Sequence, residues 1–502
     1  MGSRIDSEHP RVPAQARTEA RTEARNKLFL GSFVHSKALD ELDYLHDAAV
    51  CVDKSGTIVA VERDCDEAKA RETVLPRLGW DADDVEVVRA REGQFFFPGF
   101  IDTHLHASQY PNVGIFGKST LLDWLNTYTF PLEASLSNPA KARQVYTRVV
   151  RKTLSHGTTC AAYYATIDVA STNLLADLCL AAGQRALVGR VCMDQLSPDY
   201  YRDASAAVAI ADTRASIAHI RAADPSLSLV RPVITPRFAP ACSVALMRQL
   251  GALAAEQPDL PIQTHISENK NEIALVKELF PPHTTGAADD SYAAVYDATG
   301  LLTERTILAH AVHLTDAEAA LVAERKAKVS HCPCSNSAIT SGAARVRRLL
   351  DRGIACGLGT DMSGGYSPSV LEAARHAVLV SRHVVLAPGG EERDKLSVEE
   401  VLYLATRGGA EVVGLEGTVG GFEVGMEWDA QLVGLGQIGE DGEVVVGEGR
   451  GGGEEEQGES GDVDVFGWES WPERVAKWVY NGDDRNTKRV WVKGRLVHQR
   501  KF

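Results

Sequence analysis

The chain has 502 residues, enough to bury one large core with a smaller one beside it. Its composition is that of an ordinary soluble globular protein, and no apolar run approaches the ~20 residues of a membrane span, so no membrane partner is expected. The net charge of −15 excludes a basic nucleic-acid surface, and most of it is local: residues 440–464 hold ten acids against one base.

The N-terminus is polar and rich in Arg and Glu, unlike a signal peptide. Met1-Gly2 opens like a myristoylation site, but Asp6 stands where Ser or Thr is wanted. Nine scattered cysteines, odd in number, point to reduced thiols in a cytoplasmic protein. Residues 1–26 repeat Ala-Arg-Thr-Glu without an apolar face and are expected to form a disordered tail. Short strand-like pieces follow at Leu28–Leu30, Ala49–Val52 and Thr57–Val61, with Asp53–Gly56 as a hairpin turn.

Phe95–Phe97 and Phe100–Ile101 read as one buried strand ending in His104 and His106. Side chains alternate along a strand, so these two imidazoles point the same way. From there to residue 362, apolar strands alternate with helical stretches. The strands end at His106, Ala165, Asp194, Pro236, His265, His310, His331 and Asp361, with helices between them such as Ala140–Ser155, Ser171–Ala182, Ser243–Glu256 and Asp316–Glu324. Eight such repeats predict a (β/α)8 TIM-like barrel.

Two helical stretches follow, Ser369–His383 and Ser397–Val413, and then strand-like pieces at Asp429–Leu432 and Arg489–His498. Strands at both chain ends could pair into one small β-sandwich domain. The expected organisation is a tail over 1–26, a first β part over 27–94, the barrel over 95–415 and a second β part over 416–502. Within the last, a Gly/Glu-rich insertion over about 436–461 is expected to be disordered.

Active sites of such barrels lie at the C-terminal strand ends. The first strand offers His104 and His106 there, the fifth His265, the sixth His310 and the eighth Asp361. Three imidazoles and a carboxylate suit one Zn²⁺ with an open position for water, although iron or manganese also fit such ligands. Taken singly, His265 could be a core histidine and Asp361 a helix cap before Ser363. Glu268 could be a first-turn helical Glu, or it could take a proton from an activated water and pass it to a substrate nitrogen. Gln109 can offer a donor and an acceptor to a heterocycle, Arg237 can bind a carbonyl oxygen and Phe238 can stack on a flat ring. A salt bridge for Arg237 and a core position for Phe238 remain open.

The narrower motifs are Pro98-Gly-Phe-Ile-Asp-Thr-His-Leu-His-Ala-Ser-Gln-Tyr110, Thr235-Pro-Arg-Phe-Ala-Pro240, Gln263-Thr-His-Ile-Ser-Glu-Asn269, Gly357-Leu-Gly-Thr-Asp361 and Gly482-Asp-Asp-Arg-Asn486. On these the chain resembles the guanine deaminases of the amidohydrolase superfamily. The resemblance implies one Zn²⁺ per chain on His104, His106, His265 and Asp361. It implies purine contacts from Gln109, Arg237, Phe238, His265 and His310, and proton transfer by Glu268 and Asp361. The implied reaction is hydrolysis of guanine to xanthine and ammonia, in a cytoplasmic homodimer acting on a small-molecule purine. The fourth strand ends without the lysine that relatives use to bridge two metals, which agrees with one metal. Ala161-Ala162, Ala311-Val312-His313 and Cys334 depart from the common pattern, and the acidic insertion lies outside it. Two other readings stay open: a deaminase of another ring (8-oxoguanine, cytosine or triazine), and a catalytically silent barrel kept as a scaffold.

Overall fold

The structure is a computed structural model that describes residues 25–118, 121–445 and 463–500. Nearly all of the expected tail, and residues 446–462 of the acidic insertion, lie outside the described residues. No helix among the described residues is long and apolar enough to cross a membrane. The nine cysteines are free and buried.

Both chain ends build one sheet. Its strands are β1 (Lys27–Ala38), β2 (Glu41–Val52), β3 (Ile58–Glu62), β4 (Glu86–Arg89) and β5 (Gln94–Pro98), with three more described below from the far end of the chain. The β2–β3 connection is the expected turn, closed by bonds from Asp53 N to Thr57 O and from Gly56 N to Asp53 O, each 2.9 Å.

The barrel strands are β6 (Phe100–His106), β7 (Thr158–Tyr164), β8 (Arg185–Gly189) with β9 (Val191–Cys192), and β10 (Val230–Pro232) with β11 (Thr235–Pro236). They continue as β12 (Ile262–Ile266), β13 (Thr306–His310), β14 (Lys328–His331) and β15 (Cys356–Leu358). Parallel pairing runs β6-β7-β8-β10, and β9 pairs with β11. Bridges at Ile234–Ile262 and Phe238–His265 join the fourth repeat to the fifth. Parallel pairing then runs β12-β13-β14-β15. Asp361 N donates to His104 O at 2.8 Å and His106 N to Met362 O at 2.9 Å, which closes the ring. The expected barrel is therefore formed, with its intervening helices close to the anticipated bounds: Pro139–Ser155, Val169–Ala182, Val244–Glu256 and Asp316–Glu324.

The Phe95–Ile101 run is not one strand. It is β5 in the end-to-end sheet and β6 in the barrel, divided at Gly99. Pro98 has no N–H for a ladder, and Gly99 N donates instead to Asp429 O at 2.9 Å. A Cβ on Gly99 would sit 2.2 Å from the Thr159 side chain, so only glycine lets the chain cross here. Phe96 faces an aromatic core with Phe29, Phe33 and Trp428, whereas Phe95 and Phe97 face Trp478 of the helix Trp471–Asn481. That is strand alternation spent on two different packings.

The distal strands are β16 (Ala430–Gly434), β17 (Gly436–Gln437), β18 (Asp464–Val465), β19 (Thr487–Val492) and β20 (Arg495–Gln499). The large sheet runs β20-β19-β16-β5-β1-β2-β3, with β4 also on β1. The two-sided wrapping expected of a sandwich is thus made by one continuous sheet. It coils round a core in which Phe29 stacks on Trp428 with centroids 4.2 Å apart.

Three expectations need correction. Residues 436–445 are ordered: β17 pairs parallel with β18, and Ile438 bridges Val444. Buried Val463 and Val465 zip the flanks of the insertion together, so its compositional bias overstates its extent. The stretch 489–498 is a hairpin turning at Lys493-Gly494, both with positive φ. The helix expected over Ser397–Val413 breaks at Thr406 into Val398–Ala405 and Arg407–Val412. There Gly408 lies against Cys356 O, where a Cβ would come to 2.5 Å, so the backbone approach replaces a continuous helix.

Candidate active site

The ends of β6, β12, β13 and the turn after β15 converge. His104 Nε2 lies 3.2 Å from Asp361 Oδ1, and His106 Nε2 lies 3.4 Å from that oxygen and 3.2 Å from His265 Nε2. One ligand atom from each of His104, His106 and His265 lies within 4.8 Å of the others. His265 is fixed by donating from Nδ1 to Arg237 O at 2.6 Å, the orienting bond expected behind a metal-ligating imidazole. Among the described residues no well-aligned hydrogen bond reaches the buried His104 Nε2, despite its closeness to Asp361, or His106 Nδ1. Burial, and then the crowding of neighbouring cationic groups, holds His106 and His265 well below the usual imidazole range. They are therefore neutral, the form that offers a lone pair to a cation. Burial would raise the Asp361 carboxyl, but the imidazole of His104 first, then His310 and His265, bring it down to about 2. A divalent cation fits this donor set.

The backbone is bent to make the meeting. Ser267, His310, Ala311 and Asp361 all have positive φ, at 49°, 75°, 50° and 46°. Such non-glycine strain persists where the surrounding structure over-determines it, commonly at functional sites. Asp361 is held by the barrel seam as well as by its side chain, which answers the helix-cap alternative.

Glu268 precedes the helix Lys270–Leu279 and is 3% exposed. The first-turn capping role belongs to Glu272, whose Oε2 accepts from Glu268 N at 2.9 Å and Asn269 N at 3.1 Å. That frees the Glu268 side chain for the cavity. Its Oε2 lies 3.5 Å from His310 Nε2, and Ser341 Oγ donates to its Oε1 at 3.1 Å. Burial, only partly offset by His310, pushes its carboxyl up to about 7. Burial would lower His310, but Glu268 and then Asp361 raise it above its ordinary value. His310 Nδ1 donates to Asn336 Oδ1 at 2.9 Å.

The cavity measures about 400 Å³ including its open mouth. His106, Gln109, Arg237, Phe238, His265, Glu268, His310 and Asp361 line it, with His104 behind Asp361. Every residue expected at the site is therefore brought together. Arg237 does form a salt bridge, but a buried one, and Phe238 is both part of the core and part of the cavity wall.

Residues 95–497 match the Amidohydrolase family. The chain belongs to the Amidohydrolase family. Among its relatives, a probable guanine deaminase of Schizosaccharomyces pombe is 46% identical over 94% of this chain and 83% of its own length. The guanine deaminase of Homo sapiens is 39% identical over 94% of this chain and 96% of its own. A crystal structure of guanine deaminase from C. acetobutylicum, with guanine bound in the active site, superposes with a TM-score of 0.79 at 32% identity. It covers 94% of this chain and all of that one.

The site of this amidohydrolase also contains residues the sequence did not single out. Glu133, fully buried on the helix Phe130–Ser135, binds Arg237, Gln109 and Tyr201. Trp124 lines the cavity with an indole N–H that has no partner among the described residues, beside Leu121 and Leu125. Asp102, also buried, accepts from Thr360 and so carries the turn that presents Asp361. The Asp in Phe-Ile-Asp-Thr-His was visible inside an apolar run, a signal of a buried partner; Glu133 left no such mark.

Proposed function

We propose that this amidohydrolase binds one zinc ion at His104, His106, His265 and Asp361, and hydrolyses guanine to xanthine and ammonia. The observation that carries the reading is the meeting in one cavity of the imidazole–carboxylate cluster, a Glu268 carboxyl near neutrality, and the polar pair Gln109 and Arg237. When bound, such an ion lowers the pKa of a coordinated water toward ~7 and so supplies a nucleophile at neutral pH.

The protein's own groups do the rest. Arg237 donates to O6 of the purine, Gln109 meets the neighbouring amide edge and Phe238 packs against the ring. Glu268 takes one proton from water and delivers it to N3, which makes C2 electrophilic. Asp361, ionised at the outset, accepts the second water proton as the C2–O bond forms. His310, whose cationic form is favoured by the neighbouring Glu268 and Asp361, stabilises the oxygen arriving at C2. The C2–N bond then breaks, and the amine leaves as ammonia with the proton that Asp361 had taken. Water is consumed, and no oxidant or second substrate is needed.

The family likeness also favours a cytoplasmic homodimer. The test of substrate is ammonia release from guanine against 8-oxoguanine, cytosine and triazines. Guanine turned over at the highest kcat/KM supports the reading; preference for one of the other rings overturns it.

A further inference from the structure

We infer that Glu133 is a positioning residue that fixes which purine edge the cavity accepts, an inference that rests on the guanine reading above. Its Oε1 accepts from Gln109 Nε2 at 2.7 Å and from Arg237 Nη2 at 3.2 Å. Its Oε2 accepts from Arg237 Nη1 at 2.6 Å and from Tyr201 OH at 2.7 Å. The carboxylate is fully buried, and these four bonds are the hydrogen bonds it accepts among the described residues.

An ionised carboxylate can only accept. Gln109 must therefore turn its NH2 toward Glu133, whichever way its amide would otherwise rotate. Its Oε1 is left with two long contacts, to Ser363 N at 3.5 Å and Ser363 Oγ at 3.4 Å. That oxygen is the acceptor offered on the cavity wall. Arg237 keeps N–H groups beyond the two committed to Glu133, and these are donors. The wall thus presents a donor beside an acceptor. The lactam edge of guanine is complementary, with O6 as acceptor and N1–H as donor.

2-Aminopurine separates edge recognition from chemistry. It carries the same amine on C2, but it has hydrogen at C6 and a bare lone pair on N1. Against this wall its N1 sets acceptor against acceptor, and buried polar groups left unpaired reject a ligand strongly. Glu133→Gln inverts the pattern. The new amide oxygen stays with Arg237, and its NH2 donates to Gln109, which must then flip and turn its own NH2 into the cavity.

The experiment compares kcat/KM for guanine and 2-aminopurine, with melting temperature followed in parallel. In Glu133→Gln the guanine to 2-aminopurine ratio should fall by about tenfold or more. Tyr201→Phe removes one bond to the same carboxylate but leaves its acceptor face toward Gln109, so the ratio should hold. If Glu133→Gln does not fold, Gln109→Met removes the acceptor directly and should lower the ratio in the same way. An unchanged ratio in folded Glu133→Gln, or in Gln109→Met, overturns the inference. Failure of the unaltered protein to deaminate guanine overturns the substrate reading, and the inference with it.

Discussion

Thr360 donates two hydrogen bonds to Asp102, from Oγ1 at 2.6 Å and from N at 3.0 Å, across 258 positions of sequence. Asp102 lies on β6 between the aromatic start of that strand and the His104–His106 pair, and Thr360 immediately precedes Asp361. The bond pair therefore ties the first and last barrel strands at the level of the imidazole–carboxylate cluster.

Asp102→Ala strands both Thr360 donors in a buried place. The expected cost is about 2–4 kcal/mol in denaturant unfolding. Because the pair orients two ligand-bearing turns, zinc should also be held about 10–100-fold more weakly. Equal stability and equal zinc affinity in the variant would contradict the role.

Glu268 gives a pH test with a defined sign. Its carboxyl stands near 7 in the folded protein against 4.5 for the ordinary group, so the folded state binds the proton more tightly. The stabilisation this provides is present below about pH 4.5 and is lost as pH rises through about 7. Glu268→Gln has no such loss. In the chelator-treated protein the variant should gain on the parent between pH 5 and pH 8, by up to about 3 kcal/mol. Thermal melts at the two pH values read this directly. Guanine turnover in the variant should fall at least ~100-fold with zinc content unchanged.

Arg237→Lys keeps the charge but not the fork. Two bonds reach Glu133 from the two η nitrogens, a geometry that an ammonium cannot copy. The loss should be about 2 kcal/mol or more, equivalent to roughly 30-fold in kcat/KM for guanine. Steady-state kinetics check it.

Gly99→Ala tests the crossing between the two sheets. The added Cβ would meet Thr159 Cγ2 and Oγ1 at 2.2 Å. Overpacking of that kind costs about 1–3 kcal/mol, read as a lower denaturant midpoint. Pairing the change with Thr159→Ala, which removes Cγ2 and Oγ1 but leaves Cβ at 2.7 Å, should restore only part of it.

The convergence of His104, His106, His265 and Asp361 was legible because β-strand geometry turns spacing into direction. His104 and His106 must share a face, and polar residues closing apolar strands must gather at one barrel mouth. Glu268 stood out by its distance from His265 along the chain. Glu133 did not, because its partners Gln109, Tyr201 and Arg237 lie 24, 68 and 104 positions away, and nothing local marks its helix as buried. The β5–β6 division was hidden for another reason. An apolar run looks the same whether it fills one strand or passes between two cores, and only the Thr159 contact at Gly99 decides. The ordered edge of the acidic segment, at β17, depends on Val463 and Val465 on its far side, beyond the reach of local composition.

The most direct measurement is ammonia release from guanine by the purified protein before chelation, after chelation, and after return of one equivalent of zinc. The account predicts turnover, its loss, and its recovery at a stoichiometry of one ion per chain. Unchanged turnover in demonstrably metal-free protein would contradict it.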